Sequence, residues 1–105
     1  MKLISFDIEI SKILPEFSGN LFEHSPLGIS CAAVAHDEVK FWQAVPNLSK
    51  EENQQMVRDL MAYAEAGYSF VTWNGCGFDF RLLAEESGMF EECGKLALNH
   101  VDLML

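Results

Sequence analysis

The chain has 105 residues, half of them hydrophobic, with 16 acidic and 7 basic side chains and a net charge of −9. That length sets an expectation of one domain with a real but small core, and no apolar run reaches the roughly 20 residues of a membrane span. The acidic excess argues against a broad basic surface that neutralises phosphates directly, though not against an enzyme that reaches phosphate through bound cations.

The N-terminus, Met1-Lys2-Leu3-Ile4, runs straight into a strand pattern and shows no small-residue cleavage site, so no signal peptide is read. Three cysteines, Cys31, Cys76 and Cys93, have no ligand-like spacing; a reduced, cytoplasmic location fits them better than a disulfide framework. Residues 3–10 alternate, with Ile4, Phe6, Ile8 and Ile10 apolar and Ser5, Asp7 and Glu9 between them, which predicts a first strand. Residues 11–27 carry Pro15, Gly19, Asn20 and Pro26 and read as a loop. Two further strands are predicted at 28–35 and 39–45, with His36-Asp37-Glu38 as the hairpin turn. Ser49 and Glu52 have capping-box spacing, Met56, Leu60, Met61 and Ala64 follow at helical intervals, and Gly67 suits the left-handed stop. A fourth strand over 69–73, a helix over 78–87 stopped by Gly88, a short helix over 90–98 and a fifth strand from His100 complete the order. Three strands in a row favour an antiparallel meander, and the later β-α-β crossovers favour parallel strands.

Asp7 and Glu9 lie two apart on one strand and share a face. If helices cover that face, two carboxylates there need a partner, and a hard divalent cation is the economical one. If the face is wet, they are the polar side of an amphipathic strand. The second candidate is Trp73-Asn74-Gly75-Cys76-Gly77-Phe78-Asp79, where a strand gives way through a tight turn to a helix. Asp79 in the first helical turn suits the positive end of the helix dipole. A carboxylate just past a strand parallel to the first is also placed to reach Asp7 and Glu9.

Phe6-Asp7-Ile8-Glu9 resembles the first motif of the DEDD exonucleases, the group that includes proofreading subunits of DNA polymerases. Asn74-Gly75-Cys76-Gly77-Phe78-Asp79 resembles their second motif. The resemblance spans nearly the whole chain and implies an α/β, ribonuclease H-like mixed five-stranded sheet in the order 3-2-1-4-5 with flanking helices. It implies 3′–5′ hydrolysis of single-stranded DNA or RNA ends with two Mg²⁺ or Mn²⁺ ions, about 3.5–4 Å apart. Asp7, Glu9 and Asp79 would be the catalytic and metal-binding carboxylates, Asn74 would touch the substrate backbone, and Phe78 belongs to the same substrate-binding motif. The family's third motif, a His or Tyr followed by an Asp in a helix after the fifth strand, is not matched. His100 and Asp102 fall in the presumed strand instead, and Asp102 is read as structural or supporting. Residues 1–105 are therefore expected to form a single, C-terminally incomplete exonuclease domain, lacking the C-terminal helices and nearly inactive alone.

Competing readings are a catalytically inactive ribonuclease H-like interaction module and a hydrolase using Cys76, whose thiol would stand at a helix N-terminus. Trp42 and Trp73 could stack bases, although aromatic residues on strands are more often core. A missing C-terminal helix would leave apolar sheet surface exposed, and self-association as a homodimer is expected from that.

Overall fold

A computed structural model describes residues 2–10, 28–72 and 79–102. The elements are β1 (Lys2–Ile10), β2 (Ile29–Ala35), β3 (Val39–Gln43), α1 (Lys50–Glu65), β4 (Tyr68–Thr72), α2 (Asp79–Ser87), α3 (Phe90–Leu98) and β5 (His100–Asp102). The expected loop at 11–27, the turn at 73–78 and the end of the fifth strand lie outside the described residues. The described part of the second helix runs over Asp79–Ser87, with residue 78 outside it, and β3 stops at Gln43, ahead of the expected Val45.

The sheet order is β3-β2-β1-β4-β5. The β1–β2 and β2–β3 pairs are antiparallel, whereas β1–β4 and β4–β5 are parallel. A strand that pairs antiparallel on one side and parallel on the other is the central strand of a mixed α/β sheet, and β1 holds that position, as the β-β-β-α-β order required.

The alternation of β1 decides where the helices go. Ile4, Phe6 and Ile8 are buried, while Ser5, Asp7 and Glu9 are exposed. The apolar side joins Ile29, Val34, Met56, Val57, Leu60, Phe70, Phe80, Leu83, Cys93 and Leu96 in one continuous core. All three described helices contribute to it, so they pack on a single face of the sheet. Phe80 stacks on Phe6 (centroids 5.5 Å apart, planes at 27°) and meets Phe70 edge-on at 5.9 Å. This aromatic knot seats the start of α2 over β1 and β4.

α1 begins where the capping box predicts. The Glu52 backbone N–H donates to Ser49 Oγ at 3.1 Å, and the Ser49 N–H donates to Glu52 Oε1 at 2.9 Å. Gly67 follows the helix with φ of 97°, a conformation that a side chain would strain. Trp42 is turned to the helix side, where its Nε1–H donates to Asp59 Oδ2 on α1 at 3.2 Å, beside the Lys40 ammonium at 3.1 Å. Trp42 thus serves to join β3 to α1, the packing role usual for an aromatic residue on a strand. No described helix is long and apolar enough to cross a membrane.

Candidate active site

Asp7 and Glu9 project from the face of β1 opposite the helices, and both are exposed. The alternative in which helices bury this face does not hold among the described residues. The helices follow the apolar even-numbered side chains, so burial does not force a cation onto the carboxylates.

Strand register builds the surroundings of the pair. Asp7 lies opposite Ala33 of β2, and Ala33 lies opposite Phe41 of β3. Glu9 lies opposite Cys31, which lies opposite Gln43. Directly opposed residues share a face with Cβ atoms about 4.5–5.5 Å apart, so the carboxylates border a floor of small side chains. The register shifts between Glu9 and Ile10, which ends the regular ladder just after the second carboxylate. Near that break Ser30 Oγ donates to the Glu9 carbonyl at 3.3 Å, and near the start of the strand Ser5 Oγ donates to the Ala35 carbonyl at 3.2 Å. The pair is therefore carried on a strand tied at both ends.

Asp79 occupies the first turn of α2 and is 4% exposed. Its helix is held on the opposite side of the sheet by Phe80. Among the described residues no three His, Cys, Asp or Glu side chains form a group able to hold a metal ion. The structure thus brings Asp7 and Glu9 together and does not add Asp79 to them. The two belong to one rigid strand, whereas Asp79 reaches β4 through residues 73–78. Asn74, Cys76 and Phe78, with Trp73, fall in that segment and lie outside the described residues. His100 and Asp102 pair with Phe70 and Thr72 through β5, which places Asp102 on a strand beside the end of β4.

Two residues went unnoticed in the sequence. Thr72 is buried at the end of β4, and its Oγ1 has no hydrogen-bond partner. Period-two alternation from Phe70 was the available signal. Glu86 is the second. Burial raises its carboxyl above the ordinary value, a hydrogen bond from the Gly28 backbone partly offsets this, and the charge of Glu85 adds to the rise. Because Ile29 pairs with Ile10, this places Glu86 near the carboxyl end of β1. No local pattern marks it, since the contact joins residues far apart in the chain. Of the described thiols, Cys93 is buried, and burial pushes it up to about 11, with the Ser87 hydrogen bond opposing and Glu92 adding. It is a core residue with no nucleophilic character near neutral pH.

The family model of the RNase H superfamily matches residues 5–105. The chain belongs to the RNase H superfamily. No match was found among curated proteins or among solved structures. The mixed sheet with β1 at its centre is the RNase H-like fold, and the superfamily suggests a nuclease-like domain that binds nucleic acid. RNase H-like nucleases typically use divalent metals. The exposed pair suits such an ion in part: Asp7 and Glu9 offer hard oxygen donors side by side, and Mg²⁺ is commonly held by one or two carboxylates while keeping water and substrate phosphate as its other ligands.

Proposed function

We propose that this RNase H superfamily chain belongs to a metal-dependent 3′–5′ exonuclease acting on single-stranded nucleic-acid ends. The observation that carries the reading is the Asp7–Glu9 pair, exposed on the central strand of an RNase H-like sheet. Its sequence context, Phe6-Asp7-Ile8-Glu9, resembles the first exonuclease motif, and the Asn74 to Asp79 segment resembles the second.

In this reading Asp7 and Glu9 would hold Mg²⁺ or Mn²⁺, which when bound would supply charge neutralisation and a more acidic water. The chain's own residues do the rest. β1 fixes the two carboxylates relative to each other, and Glu9 positions the terminal nucleotide. Asn74 contacts the substrate backbone, with Phe78 beside it in the motif. By resemblance Asp79 would support a second ion, but its helix stands on the other side of the sheet from the pair and it forms no metal-holding group with them among the described residues. That same separation favours the second reading, an RNase H-like module that binds a partner without cleaving.

The test is digestion of a 5′-labelled single strand by the full-length protein with Mg²⁺ or Mn²⁺. Stepwise shortening from the 3′ end, lost in Glu9→Ala, is the expected outcome. Shortening that persists undiminished in Glu9→Ala overturns the assignment of the site, and a protein that binds the strand without shortening it supports the non-catalytic module.

A further inference from the structure

We propose that the cavity between the last turns of α1 and the helix side of the sheet binds a small planar aromatic anion, a ring system carrying one phosphate or carboxylate. The cavity lies at the end of the sheet where β1 and β4 begin, on the face away from Asp7 and Glu9. The inference does not depend on the nuclease reading.

Along α1 the cavity is bordered by Asp59, Ala62, Tyr63 and Ala66, at the i, i+3, i+4, i+7 spacing of one helix face. Ala62 and Ala66 keep that flank low, which opens the space. Across from them stand Tyr68 of β4, His36 of the hairpin turn and Lys40 of β3. The volume is about 360 Å³, at the lower end of the roughly 300–1,000 Å³ of small-molecule sites, and suits one small molecule rather than a polymer segment.

Aromatic rings supply much of the wall. The ring of His36 meets those of Tyr63 and Tyr68 with centroids 5.9 and 5.2 Å apart, and the two tyrosines meet at 5.8 Å. Their planes stand at 86°, so the pair forms a corner. A flat guest laid on one ring meets the edge of the other, and both arrangements are favourable for aromatic systems.

Charge decides what the ring carries. Asp59 is the one carboxylate in the lining, and both its oxygens are taken: Oδ1 accepts from Gln55 at 2.9 Å, and Oδ2 accepts from Lys40 at 3.1 Å and from Trp42 at 3.2 Å. The Lys2 ammonium stands 5.3 Å from the Tyr68 ring centroid and donates to the Ala66 carbonyl at 3.2 Å. A cationic guest would therefore meet two ammonium groups and no open carboxylate. An anion meets the donors that Lys2 and Lys40 have left, since an ammonium carries three. It also meets the Tyr63 and Tyr68 hydroxyls, which make no hydrogen bond among the described residues. In a chain with only 7 basic residues and a net charge of −9, two lysines thus stand beside one aromatic cavity.

The experiment is isothermal titration calorimetry in EDTA, which removes metal-dependent binding at Asp7 and Glu9. Two probes, adenosine 5′-monophosphate and indole-3-carboxylate, distinguish a nucleotide from an aromatic carboxylate as the source of the anion. Adenosine and indole keep the ring and lose the charge; ribose 5-phosphate and acetate keep the charge and lose the ring. Saturable binding of at least one probe is expected, with both of its truncated forms weaker. Tyr63→Ala is expected to lose roughly 5- to 150-fold in affinity. Ala62→Trp, at an exposed position, is expected to fill the cavity and abolish binding while circular dichroism shows an intact fold; it keeps the test standing if Tyr63→Ala unfolds. Phe41→Ala, on the opposite face, is expected to bind as the wild type does. Failure of both probes to bind overturns the proposal, as does wild-type affinity in Ala62→Trp. Equal affinity for a probe and either of its truncated forms overturns it too. Binding lost in Asp7→Asn but kept in Ala62→Trp would place the ligand on the other face and overturn it as well.

Discussion

Replacing Asp7 with Asn separates a carboxylate kept for a cation from one kept for the fold. Asp7 and Glu9 are exposed and two residues apart on one strand, which puts them about 7 Å apart at a rise of about 3.3–3.4 Å per residue. Two unit charges at that distance in water repel by about 0.6 kcal/mol, and physiological salt, with a Debye length of about 8 Å, reduces this to a few tenths. Without metal, Asp7→Asn should therefore leave stability unchanged or raise it slightly. With Mn²⁺ the variants should part. An ion that binds only the folded state adds about 1.4 kcal/mol at ten times its dissociation constant, and for a domain near 100 residues each kcal/mol moves the melting temperature by roughly 4–8 °C. The wild-type protein should thus gain on the order of 6–11 °C, and Asp7→Asn little or nothing. Thermal melts followed by circular dichroism, paired with Mn²⁺ calorimetry, give the answer. A metal-free loss above about 1 kcal/mol would show that Asp7 makes a structural interaction absent from this fold. Equal Mn²⁺ stabilisation of both proteins would place the ion elsewhere.

Two further outcomes test the scaffold. Phe80→Leu removes one stacked and one edge-on ring contact, each worth about 0.5–1.5 kcal/mol beyond area burial, so urea unfolding should show a loss of about 1–3 kcal/mol with an unchanged m-value; a loss under 0.5 kcal/mol would mean that α2 is not seated on β1 and β4 as described. Asp59 is raised by burial, but hydrogen bonds from Gln55, Lys40 and Trp42, together with the Lys40 charge, outweigh this and hold its carboxyl below the ordinary value of 3.8. A carboxyl depressed in the folded state stabilises above its unfolded value and loses that contribution as pH falls through the folded one. Asp59→Asn should accordingly flatten the acid limb of the stability curve below about pH 4, and an acid limb identical to wild type would remove Asp59 as its source.

Local patterns in the sequence determined where the elements lie. The alternation over Ile4 to Ile10 is a period-two signal that only a strand satisfies, and Ser49 with Glu52 marks a helix start because each side chain caps the other's backbone. The order of elements limited the topology to few choices, and resemblance to a known family picked the strand order among them. The Asp7–Glu9 pair was legible for the same reason, since residues two apart on a strand share a face whatever surrounds them. What surrounds them was decided only in three dimensions. Whether helices would cover the acidic or the apolar face of β1 depended on where α1, α2 and α3 could bury their own apolar sides. That Trp42 turns to the helix side and Phe41 to the other depended on the pairing of Ala32 with Trp42 and on Asp59 waiting on α1. Asp79 looked in sequence like a companion of Asp7 and Glu9. Yet Phe80, the residue after it, anchors its helix on the opposite side of the sheet, because packing an aromatic ring into the core outweighs any gain from bringing a third carboxylate up to two others of like charge.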